Sequence, residues 1–191
     1  TSISNFFSNT PIYFMYNRIH LQKFMAMNQT KNPGQVLAQI MIDLGSEKEN
    51  VVLKAIKKAR TKGNEQIIPA LFNTYRNTKT NLIKDEITSI LSELKSTATI
   101  EPLIEELNIG NEASRCLALT SIWSSGLNAN EYIDEIIQAA VNGSFLEAFE
   151  ALTIIENLDP PFEEEVILNS QIILKTYFSN QEKSEKSEIL R

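Results

Sequence analysis

The sequence predicts an all-α protein, built as an α-solenoid of about four helical hairpins with one further helix as an amino-terminal cap. Two observations support this prediction. Glycines and prolines divide the chain into short segments whose apolar residues are spaced by three or four, the period of an amphipathic helix. The apolar positions then recur about every 32 residues, which is typical of stacked helix pairs. No pair of alternating apolar runs joined by Asn-Gly or Asp-Gly indicates a β-hairpin.

The composition excludes several classes of function. The 191 residues are 42% hydrophobic and 22% charged, and the net charge of −6 argues against a dedicated nucleic-acid binder. One cysteine and one histidine make a disulfide framework or an ordinary zinc site improbable. No apolar run approaches the roughly 20 residues that span a bilayer. We therefore expect a cytoplasmic monomer that uses no cofactor, metal, nucleic acid or membrane.

The first 31 residues differ from the rest of the chain. They are rich in aromatic residues and Asn. They do not fit a secretory signal, because no Lys or Arg precedes Arg18 and polar residues interrupt the apolar stretch. One interpretation is extra sequence upstream of a start at Met25 or Met27, which would be poorly ordered; the other is that its apolar side chains dock onto the main body. We favour the first. The predicted parts are an extension (1–31), a repeat domain (32–178) and a polar tail (179–191).

The ends of the predicted helices carry recognisable signals. Three segments begin with a capping-box pattern, in which two side chains satisfy two backbone donors: Asn32–Gln35, Ser46–Glu49 and Ser144–Glu147. Pro69 and Pro102 fall in the first turns of their segments, where a missing N–H costs little. Five glycines follow helical segments, where we expect left-handed carboxyl-terminal caps: Gly45, Gly63, Gly110, Gly126 and Gly143.

The repeat consists of two apolar patterns, one for each helix of a pair. The second-helix pattern starts with Ile68, Leu71 and Tyr75 and recurs twice, after 32 and then 33 residues. The first-helix pattern is a pair of apolar residues spaced by four: Ala55 and Ala59, Ile87 and Leu91, Ala118 and Ile122, Ala151 and Ile155. Because one helix cannot bury such a face alone, neighbouring pairs are expected to stack. The predicted units are 47–77, 81–109, 112–142 and 145–178, preceded by a cap helix 34–44.

Several of these segments resemble HEAT repeats. The segments EQIIPALFNTYRN and TIEPLIEELNIG are similar to HEAT second helices, and NEASRCLALTSIWSSG is similar to a first helix. The resemblance covers residues 34 to about 175 and implies an α-solenoid whose second helices line the concave face. The Asp–Arg ladder common in the family is diluted, because Asn77 and Asn142 replace Asp, and Lys84 stands where Arg115 stands one unit later. Armadillo arrays need longer units, and tetratricopeptide arrays need a Trp-Leu-Gly pattern that is missing.

Charge is distributed unevenly along the chain. Residues 31–84 contain ten Lys or Arg and four Asp or Glu, whereas residues 85–165 contain two Lys or Arg and seventeen Asp or Glu. Such a distribution can steer charged partners towards the molecule. Five candidate partner-binding residues lie on the predicted concave face: Arg76, Glu101, Glu105, Asp134 and Gln138. Two interpretations stay open, a solvated face that keeps the protein soluble and a groove for a basic peptide or helix.

Trp123 is a sixth candidate, because its repeat equivalents, Ser92 and Glu156, are predicted to face outward. It either bridges Leu119 and Leu127 or serves as an aromatic anchor for a partner. Cys116 lacks a neighbouring histidine to activate it, so we expect a small buried thiol. The paired carboxylates of the chain are consecutive in sequence, and consecutive residues of a helix point about 100° apart, so they do not form an acid–base pair.

These observations predict a non-enzymatic interaction scaffold that binds a basic or mixed-charge protein partner. The alternative is an enzyme, because some HEAT-like solenoids act as DNA-base glycosylases or chromophore lyases. A glycosylase would need a basic groove with aromatic residues, whereas the predicted groove is acidic. A lyase would need a more reactive thiol or base than this sequence offers.

Overall fold

The computed structural model describes residues 32–180 and 183–191. These residues form α-helices and short 3₁₀ turns, with no strand among them, so the predicted all-α class is confirmed. The α-helices, numbered in chain order, are α1 (Pro33–Leu44), α2 (Glu49–Lys62), α3 (Ile68–Asn77), α4 (Asn81–Leu91), α5 (Ile100–Ile109), α6 (Glu112–Ser124), α7 (Ile133–Asn142), α8 (Phe145–Glu156), α9 (Glu164–Asn180) and α10 (Glu185–Ile189). The predictions for residues 1–31 lie outside the described residues.

Two of the three predicted capping boxes form. The Asn32 side chain accepts a hydrogen bond from the Gly34 amide at 3.3 Å and begins α1. In the box that begins α8, the Ser144 amide donates to the Glu147 carboxylate at 2.7 Å. The third prediction is wrong, because the Ser46 hydroxyl accepts from the Lys48 amide two residues on, and α2 begins at Glu49 without a side-chain cap.

The expectation of left-handed caps holds for one glycine of the five. Gly126 has a φ of 63°, whereas the other four have φ between −75° and −84°. At three of these four, the absent side chain leaves room for a close neighbour: a Cβ would lie 2.6 Å from the Ala59 carbonyl oxygen at Gly63, 2.5 Å from the Glu106 carboxylate at Gly110 and 2.7 Å from the Glu147 carboxylate at Gly143. Close approach therefore explains these glycines better than backbone conformation does.

The helices pack in two rows. In the odd row, α1, α3, α5, α7 and α9 contact one another in succession, and in the even row, α2, α4, α6, α8 and α10 do the same. The rows are joined by contacts between α1 and α2, α3 and α4, α5 and α6, and α7 and α8. Each predicted unit therefore contributes one helix to each row, and α1 extends the odd row at its amino-terminal end.

One continuous apolar cluster lies between the rows. It extends from Ile40 in α1 to Ile154 in α8 and contains most residues of both recurring patterns of the sequence. Most residues of these patterns are buried, and Tyr75 and Ile155 are half-buried and packed against the cluster. A buried Ile or Leu contributes about 1.5–3 kcal/mol. The apolar periodicity therefore predicted the core.

Part of the predicted polar tail is an ordered helix. Helix α10 packs against α8, and Ile189 and Leu190 contact the apolar cluster. The Lys186 ammonium donates to the backbone carbonyls of Val141 and Gly143 at 2.9 and 2.7 Å, which are at the carboxyl end of α7. Helix α10 thus covers α8 in the even row. Within the described ranges, no helix is long and apolar enough to cross a membrane.

Candidate functional site

The structure separates the six predicted site residues. Glu101 and Glu105 lie on α5 and Gln138 lies on α7, all three exposed in the odd row. Arg76, Asp134 and Trp123 are each engaged with other side chains.

Arg76 joins α3 to α5. Its guanidinium contacts both carboxylate oxygens of Glu106, and Glu106 is only 2% exposed. A buried carboxylate of this kind is stable only with a charged, hydrogen-bonded partner. Arg76 is therefore not free to meet a ligand, and its role is to hold neighbouring helices of the odd row together.

A second buried ion pair joins α6 to α8. Arg115 Nε donates to Glu147 Oε1 at 2.5 Å, and its Nη1 donates to the Gly110 carbonyl at 2.8 Å. Burial acts to raise the pKa of Glu147, but hydrogen bonds from Arg115 and from Ser144 outweigh it and lower the pKa. These contacts join successive units through charged side chains. Lys84 occupies the position equivalent to Arg115 one unit earlier, and its ammonium nitrogen instead lies 5.4 Å from the centre of the Tyr75 ring.

Asp134 fixes the last helix of the odd row. Its two carboxylate oxygens accept hydrogen bonds from Asn169 Nδ2 at 3.1 Å and from Ser170 Oγ at 3.3 Å, both on α9. The carboxylate is half-buried as a result. Asp134 therefore faces α9, and it is less accessible than the two exposed glutamates of α5.

Four exposed carboxylates and one exposed amide on α5, on α7 and in the turn before α7 form a set that we call the acidic face: Glu101, Glu105, Glu131, Glu135 and Gln138. Across residues 32–180 and 183–191, no Lys or Arg nitrogen lies within 4.0 Å of these four carboxylates. The two buried glutamates, by contrast, are paired with arginines. The exposed carboxylates are thus separate from the charges that hold the helices together.

The pKa of Tyr132 shows that several of these carboxylates lie near the same part of the surface. Its pKa is raised first by burial and then by the negative charges of Glu101, Glu131 and Glu135. Glu101 belongs to α5, Glu131 to the turn before α7 and Glu135 to α7, so negative charges from neighbouring parts of the odd row converge near this phenol. Glu135 and Gln138 also line a crevice of about 250 Å³ together with Arg115.

Sequence analysis missed Glu131, Tyr132 and Glu135. Glu135 is an exposed position of α7 that the repeat pattern could have identified, whereas Glu131 and Tyr132 lie in the 3₁₀ turn before α7, outside that pattern. Each second helix from α3 to α7 begins with such a turn, at Glu65–Ile67, Thr97–Thr99 and Asn130–Tyr132. An alignment of the units that included the preceding turn could have identified them.

Trp123 lies on α6 in the even row, away from the helices that carry the acidic face. Its indole N–H donates to Glu150 Oε2 of α8 at 2.6 Å, and the side chain remains 42% exposed. Leu146 and Phe149 of α8 are also exposed, within one turn of Glu150. The tryptophan therefore contacts α8 of the next unit, and it does not belong to the acidic face.

Cys116 is buried on α6. Burial, followed by the negative charges of Glu147, Glu112 and Glu150, raises its pKa to about 11. Because the thiolate is the nucleophilic form of cysteine, this thiol is unreactive at neutral pH. Among the described residues, no three His, Cys, Asp or Glu side chains are grouped so that they could hold a metal ion.

In comparisons with known proteins, no family model, no curated protein and no solved structure matches the chain. The resemblance to HEAT repeats therefore depends on the sequence pattern quoted above.

Proposed function

We propose that the chain is a non-enzymatic interaction module, a HEAT-type α-solenoid that binds a basic peptide or helix on its acidic face. The observation that carries this proposal is the set of exposed carboxylates on α5 and α7 with no neighbouring cation among the described residues. Charges that serve only to hold a fold are paired, as Glu106 and Glu147 are. Unpaired carboxylates held on adjacent rigid helices are available to a cationic partner.

The HEAT-type architecture is supported by the two rows and by polar contacts one repeat apart. Arg76 with Glu106 and Arg115 with Glu147 are separated by 30 and 32 residues. Ser125 Oγ donates to the Leu91 carbonyl, 34 residues away, at 3.1 Å. Contacts of this separation are expected where each unit stacks on the next. In a HEAT-type solenoid the odd row would line the concave face, which would place the acidic face in the groove.

The enzymatic alternative has less support. A thiolate mechanism would need a cysteine that ionises near neutral pH, whereas burial raises the pKa of Cys116 to about 11. A DNA-base glycosylase would need a basic groove, whereas every exposed charged side chain of α5 and α7 is acidic. A binding role would use the exposed carboxylates of the acidic face, whereas neither enzymatic role would use them.

A matched set of variants tests the proposal. The probe is a Lys-rich amphipathic peptide, with a Glu-rich peptide of the same apolar pattern as the ligand control. We expect the wild-type chain to bind the Lys-rich peptide in calorimetry, and to bind it more weakly as salt rises from 50 to 300 mM. The triple variant Glu101→Gln, Glu105→Gln, Glu135→Gln should weaken binding about tenfold or more, because each close charge pair contributes about 0.5–1 kcal/mol.

The protein control is the variant Glu112→Gln, Glu156→Gln, which neutralises two exposed glutamates of the even row. It should bind the peptide like the wild type. Equal weakening in the control and in the triple variant would show non-specific attraction to a negative molecule. Equal affinity for the two peptides would contradict the proposal outright.

A further inference from the structure

The outward side of α9 carries exposed aliphatic residues at the end of the odd row. Leu168 is 51% exposed and Ile172 is 61% exposed, and they lie one turn apart. The opposite side of α9 faces α7 and is centred on Ser170 and Tyr177, which are buried. In the odd row, every helix from α3 to α7 has a neighbour on each side, whereas α9 has the described neighbour α7 on one side only.

The outward side of α9 has a self-complementary order of residues. Glu165, Leu168, Ile172 and Lys175 are spaced by three, four and three residues, which places all four on one face of a helix. The order is acidic, apolar, apolar, basic, and it is symmetric about position 170. The two charged side chains are exposed, and within the described ranges neither has an ion-pair partner.

We propose that α9 is a dimerisation surface that pairs with α9 of a second copy of this chain in antiparallel orientation. A twofold axis near position 170 would place Leu168 of one copy against Ile172 of the other. The same axis would place Glu165 of each copy against Lys175 of its partner. A twofold interface requires this reciprocity, in which residue i meets j and residue j meets i.

The charge pairs cannot form within a single chain. Glu165 and Lys175 are ten residues apart on one helix, which separates them by about 15 Å along its axis. Among the described residues neither charge has an ion-pair partner, so a second copy would supply one to each, and the aliphatic pair between them would supply the apolar centre. This proposal replaces the monomer expected from sequence, and it does not depend on the acidic face.

The dimer should be weak. One pair of helices buries less surface than the 1,200 Å² or so of a standard stable interface. We therefore expect a dissociation constant in the micromolar range, so that the mass measured by sedimentation velocity of the full chain rises from monomer to dimer as concentration rises. A wild-type chain that remains monomeric up to 1 mM would overturn the proposal, and so would a mass that continues past the dimer.

Charge reversal tests the antiparallel register. Glu165→Lys places two lysines together at each end of the interface, and Lys175→Glu places two glutamates together, so each variant should dimerise at least tenfold more weakly. The double variant Glu165→Lys, Lys175→Glu should recover wild-type dimerisation. An equimolar mixture of the two single variants should also dimerise, because every pair between unlike chains is then opposite in charge.

The matched controls are Lys57→Glu on α2 and Glu156→Lys on α8, which make the same charge changes at exposed positions elsewhere. They should dimerise like the wild type. Thermal unfolding followed by circular dichroism confirms that each variant is folded. If the controls weaken the dimer as much as the single variants do, or if the mixture stays monomeric, α9 is not the interface.

Discussion

At the scale of single residues, two glycines make room for two buried glutamates. A Cβ on Gly110 would lie 2.5 Å from Glu106 Oε1, and a Cβ on Gly143 would lie 2.7 Å from Glu147 Cδ. Both glycines follow the carboxyl end of an odd-row helix, and neither has positive φ. Their role is therefore to let a charged side chain approach the backbone closely. The sequence predicted their positions at helix ends but not this reason for them.

Replacing Gly143 with alanine should destabilise the protein. The new methyl group would press on the Ala139 carbonyl and on the Glu147 carboxylate, which is held by Arg115 and cannot swing away freely. We expect a loss of about 1–3 kcal/mol in the free energy of unfolding, the usual cost of overpacking. Chemical denaturation measures it.

Gly45→Ala is the matched control, because Gly45 also follows a helix and a Cβ there would meet no atom nearer than 3.5 Å. It should leave the stability unchanged or raise it by up to about 1 kcal/mol, because alanine fits there without strain and restricts the unfolded chain. Similar losses in the two variants would mean that backbone conformation, rather than close approach, explains both glycines.

At the scale of helices, charged side chains fix the relative positions of helices that also pack through the apolar core. Arg115 contacts the end of α5 through the Gly110 carbonyl and the start of α8 through Glu147. Because Glu147 is 1% exposed, its charge requires this partner. One side chain on α6 thereby fixes the positions of helices in both rows.

Replacing Arg115 with methionine should cost about 3 kcal/mol of stability at neutral pH, because it leaves the Glu147 carboxylate buried without its ion-pair partner. In the wild type the pKa of Glu147 is lowered, so its contribution to stability is present above the unfolded pKa and is lost as the pH falls through the folded pKa. In the variant, burial acts without that partner and favours the protonated form. The difference between the two proteins should therefore shrink as the pH falls from the raised pKa of Glu147 in the variant to its lowered pKa in the wild type, a range that includes the ordinary glutamate value of about 4.3.

Denaturation at several pH values checks this expectation. Arg60→Met is the control, since Arg60 pairs at 2.5 Å with Glu93, which is exposed. Its loss should be clearly smaller than that of Arg115→Met. A pH-independent difference between the wild type and Arg115→Met would contradict the role assigned to Glu147.

Sequence analysis predicted the helices better than their polar contacts. The bounds of the paired helices follow from the apolar period and the capping residues, and both signals lie within a few residues of each other in the sequence. The partner of a charged residue is not local: Lys84 and Arg115 occupy equivalent positions, yet Lys84 lies over the Tyr75 ring and Arg115 pairs with a buried carboxylate. Likewise, Glu105 is exposed and its neighbour Glu106 is buried, which only the packing of α5 against α3 determines.

At the scale of the whole molecule, the apolar cluster is continuous from α1 to α8. No break in it separates the basic amino-terminal part from the acidic part that follows. The units therefore share one core, in which each helix pair buries its face against the next. The resulting rigidity would keep the carboxylates of α5 and α7 at fixed spacing, as a binding surface requires.

We expect the described part of the molecule to unfold in one transition. Trp123 is the only tryptophan, so its fluorescence reports on α6 and α8, whereas circular dichroism at 222 nm reports on all the helices. The two signals should give the same midpoint in urea if the core is cooperative. Separate midpoints would show that the units near Trp123 unfold independently of the rest. Trp123→Phe, followed by circular dichroism alone, tests whether the indole itself affects the midpoint.

The burial of Cys116 gives the protein a reporter of its own motions. Alkylating reagents attack only an accessible thiolate, and this sulfur is both covered and protonated at neutral pH. Modification must then wait until α6 separates from its neighbours. The rate at which Cys116 is labelled in native buffer therefore measures how often α6 separates from its neighbours, and no engineered probe is needed.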